Sequence, residues 1–136
     1  MEDRERALNP GHVRARIANE FVRLHSKYYG KGPTRARTYL IDDLVVVVLE
    51  ETFTTAERTL IGQGETTSIK HIRRRFQQVM ADQFKAIVEQ ATGRRVRSFM
   101  SETDVEQDLS VEVFLLGGER TDMVEYEPPG AGQDPR

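Results

Sequence analysis

YYGKGPTRARTYLIDDLVVVVLEE, residues 28–51, gives five structural instructions in succession. A helical pattern ending at Tyr28 meets Gly30, which suits a left-handed cap, and Gly32-Pro33 stops the helix from restarting. A basic strand begins at Arg35 and runs through Thr38 to Ile41. Asp42-Asp43 fits a tight turn, because Asp tolerates local turn geometry. Leu44 to Leu49 then forms an unbroken apolar run. Such a run predicts a central strand buried on both faces, with Val45, Val47 and Leu49 on one and Leu44, Val46 and Val48 on the other. A single helix layer covers one face only, so a second subunit is the expected cover for the other.

Working outward, Asn9-Pro10 is a good helix start: Asn caps free N–H groups and Pro suits the first helical position. Val13, Ile17, Phe21, Leu24 and Tyr28 follow at spacings of three and four, one face of a helix. Thr54-Thr55-Ala56-Glu57 is a capping box opening a short helix that ends at Gly62. Ser68 opens the longest predicted element, which runs to Thr92 and stops at Gly93. Its apolar stripe takes in Ile69, Ile72, Phe76, Val79, Met80, Phe84 and Val88. Strands are predicted at Val96 to Met100 and at Leu109 to Leu116, with an acidic loop from Glu102 to Asp108. Leu109, Val111, Val113 and Leu115 alternate on one face of the last strand. The order α-β-β-α-α-β-β predicts an α+β two-layer domain, with helices packed on one face of a mainly antiparallel sheet. Residues 10–117 make one domain, flanked by a flexible N-terminus at 1–9. At 118–136 the acid, Pro and Gly content of the tail predicts disorder.

Composition narrows the function classes. The 136 residues include no Cys and no Trp, so a disulfide framework and thiolate metal sites are excluded. The longest apolar run falls far short of the ~20 residues a membrane span requires, so no direct membrane insertion is expected. The charged N-terminus is unlike a signal peptide, and the expected location is cytoplasmic. A net charge of −2 hides a segregation: residues 67–100 carry eight Lys/Arg against two Asp/Glu, whereas residues 101–136 carry two against ten. These blocks either neutralise one another within or between subunits, or mark a polyanion site beside an acidic tail.

No catalytic constellation is present. His12, His25 and His71 lack the spacing of helical metal ligands, and the first two fall on wet or border positions of the first helix. Asp42-Asp43 and Glu50-Glu51 are adjacent strand residues that point to opposite faces, so neither pair converges on one substrate atom. Gly30-Lys31-Gly32-Pro33 has the look of a phosphate-loop fragment, but it follows a helix and precedes a strand, the reverse of a P-loop. The sequence therefore predicts a non-enzymatic protein with no cofactor and no metal. Its candidate anion- or partner-binding residues are Lys31, Arg35, Arg37, Lys70, Arg73, Arg74, Arg94 and Arg95. With Ile72 and Phe76 facing the core, Lys70, Arg73 and Arg74 are expected to share the outward arc of the long helix.

The run Tyr29-Gly30-Lys31-Gly32-Pro33, the Arg35-Ala36-Arg37-Thr38-Tyr39 strand, the long basic helix and Ala91-Thr92-Gly93-Arg94-Arg95-Val96 together resemble the MpsC family over residues 10–116. That family is named for a Na+-translocating membrane-potential-generating system. The resemblance implies a cytosolic α+β accessory module with a membrane-system protein as partner. The element order also resembles the KH fold of RNA-binding domains, where a GxxG loop joins two successive helices. Here the joint reads Ile61-Gly62-Gln63-Gly64-Glu65, one residue shorter and ending in an acid. The leading expectation is a homodimeric interaction module. Nucleic-acid binding through the basic long helix is the alternative.

Overall fold

A computed structural model describes residues 9–118 and 128–130. The flexible N-terminus at 1–9 and the disordered tail at 118–136, both expected from the sequence, fall almost wholly outside the described residues. Three helices, α1 (Pro10–Tyr29), α2 (Thr55–Gly62) and α3 (Thr66–Thr92), join four strands, β1 (Arg35–Ile41), β2 (Leu44–Glu50), β3 (Val96–Asp104) and β4 (Leu109–Leu116). The strands form one antiparallel sheet in the order β1-β2-β4-β3. The α+β two-layer reading and its α-β-β-α-α-β-β order hold.

The local signals act as their chemistry predicts. The Asn9 side chain accepts from the N–H groups of Gly11 and His12, and Gly30 closes α1 at φ 75°. Asp42 takes a φ of 52° in the β1–β2 turn, as a small polar residue tolerates. Thr54 and Glu57 form a reciprocal capping box on α2. Gly93 ends α3 at φ 69°.

Helices α1 and α3 lie on one face of the sheet. Val13, Ile17 and Phe21 of α1 and Met80, Phe84 and Val88 of α3 close over Val45, Val47, Leu49, Phe114 and Leu116. Phe21 stacks on Phe84 with centroids 4.7 Å apart, and Phe99 stacks on Phe114 at 4.8 Å. A smaller core of Phe53, Ile69 and Val105 sits under α2.

Several sequence expectations are corrected here. The predicted acidic loop at 102–108 is shorter, because β3 continues to Asp104 in register with β4; Asp104 pairs Leu109 and Glu102 pairs Val111. Helix α3 starts at Thr66 rather than Ser68. Its buried stripe runs through Ile69, Arg73, Met80, Phe84, Val88 and Ala91, while Ile72 is 40% exposed and Val79 is 69% exposed. The stripe is turned by one residue at its start because α3 there faces α2, whose Glu57 draws Arg73 inward. His25, expected on a wet or border position, is buried one turn after Phe21.

The strand faces differ most. On β4 the covered side holds Ser110, Glu112, Phe114 and Leu116, not the alternating Leu109, Val111, Val113 and Leu115. Phe114 and Leu116 fix that parity by entering the aromatic core. On β2, Val45, Val47 and Leu49 are fully buried, but Val46 and Val48 are only half-buried and Leu44 is exposed. Among the described residues, therefore, one face of this inner strand is covered, not two.

Candidate functional site

The structure disperses the eight predicted basic residues. Lys31 donates to the carbonyl oxygen of Glu51, which ties the loop after α1 to the end of β2. Arg94 donates to Asp43 Oδ1 at 3.0 Å and to the Gly117 carbonyl at 2.9 Å, clasping the β1–β2 turn to the end of β4. Arg35 and Arg37 stand on β1 and both approach Glu50, at 3.7 and 3.9 Å. Arg95 is exposed beyond α3. Lys70 and Arg74 are exposed on α3 with His71 and Arg75. No single anion site gathers the predicted set.

Arg73 departs from that arc altogether, at 2% exposure. Its Nε and Nη2 donate to the two carboxylate oxygens of Glu57, each at 2.6 Å, a bidentate charge-assisted pair. Nη1 and Nη2 also donate to Thr52 Oγ1 and to the Thr52 carbonyl, and the guanidinium lies 4.0 Å from the Tyr29 ring centroid. Burial pushes the Glu57 carboxyl up, but the Arg73 guanidinium and the Thr54 N–H outweigh it and hold the group below its ordinary value. Burial drives the Tyr29 hydroxyl up to about 12, against the pull of Arg73. This is a structural knot fastening α2 and α3 to the strand ends. The capping box was legible in the sequence; its second use as a clamp on Arg73 was not, because those residues are distant in the chain.

A second buried polar set crosses the covered face of the sheet. Thr38 pairs Val47, Val47 pairs Glu112, and Glu112 pairs Ser101, so the four form one row beneath the helices. Glu112 is 1% exposed, and its Oε2 and the Thr38 Oγ1 have no hydrogen-bond partner among the described residues. Burial pushes the Glu112 carboxyl up to about 7, which the Ser101 hydroxyl lowers only in part. His25 is also buried. Desolvation takes its pKa down to about 4 against the hydrogen bond from Nδ1 to the Phe21 carbonyl, and the Arg73 charge lowers it further. Among the described residues no group of three His, Asp or Glu is placed to hold a metal ion.

The opposite face of the sheet is uncovered among the described residues. The strand register assigns it four rows: Arg35-Glu50-Leu109-Asp104, Arg37-Val48-Val111-Glu102, Tyr39-Val46-Val113-Met100 and Ile41-Leu44-Leu115-Ser98. Its middle is aliphatic, and Tyr39, Ile41, Leu44 and Met100 are large apolar side chains in the exposed class. At ~4.8 Å between strands and ~3.3 Å per residue, seven residues on four strands span roughly 19 by 23 Å. That is on the order of 400 Å² in projection for the whole face with its charged end included, so the apolar part is smaller. The sequence signalled this face on β2, where both parities are apolar, and on β4, where Leu109, Val111, Val113 and Leu115 alternate.

No helix among the described residues is long and apolar enough to cross a membrane. The chain is 27% identical over 107 residues to Uncharacterized protein YbcI of Bacillus subtilis (strain 168), covering 78% of this chain and 86% of that protein. It is 24% identical over 101 residues to Uncharacterized protein YrhF of the same organism, covering 72% and 83%. No solved structure matches it. The model of a family described as Na+-translocating membrane potential-generating system (MpsC) matches residues 9–117, which take in all of the helices and strands described above, and the chain belongs to the MpsC family.

Proposed function

We propose that this protein is a non-enzymatic association module. In this reading it pairs as a homodimer through the open face of its sheet and serves in the cytoplasm as an accessory to the ion-translocating membrane system named in the family description. The observation that carries the reading is the uncovered face itself, where Val46, Val48, Val111 and Val113 lie side by side on the two inner strands. A solvated sheet face normally alternates to polar residues, whereas this one is aliphatic at its centre. With no membrane-crossing helix among the described residues, a part in ion translocation runs through a protein partner.

Light scattering at micromolar protein in ~150 mM salt, where exposed charges are screened beyond ~8 Å, is expected to give twice the 15.6 kDa chain mass. Val113→Asp is expected to give the single-chain mass with helix content unchanged. A wild-type monomer under these conditions rejects the reading. Affinity capture from solubilised native membranes tests the membrane arm: a translocating complex should come down with wild type and be lost with Val113→Asp.

A second reading rests on the exposed Lys70, His71, Arg74 and Arg75 of α3. A nucleic-acid binder using Lys70, Arg74 and Arg75 loses affinity steeply with salt, about one power of salt concentration per phosphate contacted. An electrophoretic shift series showing no binding at low salt removes it.

A further inference from the structure

Charge on the open face is polarised. Its β1 edge carries Arg35 and Arg37, its β3 edge carries Glu102 and Asp104, and the register places all four at the same end of the strands. Arg35 and Arg37 pair loosely with Glu50 of their own chain, and the Arg37 Nε is buried without a hydrogen-bond partner. Glu102 and Asp104 are exposed. One end of the face is thus charged, basic on β1 and acidic on β3 with Glu50 beside the two arginines, and the rest of it is mostly apolar.

Resting on the homodimer reading above, we propose that the two copies stack sheet to sheet about a two-fold axis running along the strands, so that the basic rim of each copy lies over the acidic rim of the other. A two-fold axis between like faces can run diagonally, across the strands or along them; a diagonal axis makes the sheets near-orthogonal and lays one charged corner over its own copy. An axis across the strands carries β1 over its own copy and sets the charged strand ends above the apolar ends, so that Arg35, Arg37 and Glu102 face Ile41, Tyr39 and Met100. An axis along the strands carries β1 over β3 and β2 over β4 without changing height. Arg37 then faces Glu102 of the other copy, Arg35 faces Asp104, Val46 faces Val113, and Tyr39 faces Met100. Aligned sheets pack ~10 Å apart at about −30°, which places the two-fold axis midway between the strand directions of the two sheets. Charges placed at a rim set register and reject wrong partners more than they add affinity. The same polarity therefore acts as a selector among chains of this shape.

Rim swaps test the geometry. One variant, Arg35→Glu with Arg37→Glu, has two acidic rims; a second, Glu102→Arg with Asp104→Arg, has two basic rims. Each alone is expected to dimerise about tenfold or more weakly than wild type, since like charges now oppose at both rims. Mixed in equal amounts they should form the heterodimer, read by native mass spectrometry. A single chain bearing all four changes should recover the self-dimer, which also shows that the substitutions leave the fold intact. If wild type dimerises and both rim variants do so equally well without preferring each other, the axis is wrong and the dimer stands. If wild type is a monomer, both this pairing and the homodimer reading fall.

Discussion

The covered and the open face of the sheet both mix apolar with polar residues, but in different ways. The face under the helices takes Thr38, Ser101, Thr103, Ser110 and Glu112 among its phenylalanines, and Thr103 and Ser110 hydrogen-bond each other at 3.1 Å. The face away from the helices carries Val46, Val48, Val111, Val113, Leu44 and Leu115 beside the charged Arg35, Arg37, Glu50, Glu102 and Asp104. Hydrophobicity along a strand does not by itself decide which side turns inward. The helix layer supplies aromatic surface from Phe21 and Phe84, which packs against Phe99 and Phe114, and those two residues commit their strands. Shape and aromatic area fix the inner face. The aliphatic parity is left on the open face.

The largest test of this difference sets Val47 against Val46. Val47→Asp places a charge beneath the helices, with an expected cost of several kcal/mol, on the order of half the stability of a typical domain. Val46→Asp, on the half-buried side, is expected to cost about 1 kcal/mol in the dissociated chain and to abolish association. Chemical denaturation at low protein concentration compares them; equal costs break the distinction between the faces.

Next in size is the knot. Arg73→Ala leaves the Glu57 carboxylate buried without its cation and is expected to cost about 3–5 kcal/mol. An Arg73→Met variant of similar length should recover part of this if Glu57→Leu accompanies it. Urea denaturation of the single and paired variants measures the coupling.

Glu112 gives a pH test confined to the covered face. Its carboxyl is raised from 4.5 to about 7, so the folded chain holds a proton that the unfolded chain has lost. Stability therefore falls as pH rises through that window and stays lower above it. Buried His25, lowered from 6.5 to about 4, acts oppositely: the unfolded chain binds the extra proton, so stability rises with pH across that range. Where the windows overlap the two slopes offset one another. Glu112→Gln removes one of them, and near pH 8 the variant should exceed wild type by on the order of 3 kcal/mol. Near pH 4 the two should coincide. A variant curve parallel to wild type throughout would show that Glu112 does not titrate in this range. The smallest effect belongs to the open face: Met100→Gln, at 59% exposure, should move single-chain stability by no more than ~0.5 kcal/mol.

Much of this fold was legible in short-range chemistry. Asn9-Pro10, Gly30, Asp42-Asp43, Thr54 with Glu57, and Gly93 each act within a few residues, so their geometry depends little on the rest of the chain. The candidate site was much less legible. Lys31, Arg73 and Arg94 are plain cations in the sequence. Their roles come from Glu51, Glu57 and Asp43, which sit 20, 16 and 51 residues away.

The sequence by itself determined the element order, the caps and turns that end each element, the absence of cysteine chemistry, and an inner strand apolar on both sides. Tertiary structure alone decided which parity of β4 turns inward, that His25 and Arg73 are buried, and that the acidic end of β3 and the basic start of β1 occupy opposite rims of one open face. The reason is physical. Caps and turns are settled by sterics and hydrogen bonds within a few residues. Burial and charge placement depend on which distant strands become neighbours, and a strand's period of two allows either face until packing selects one.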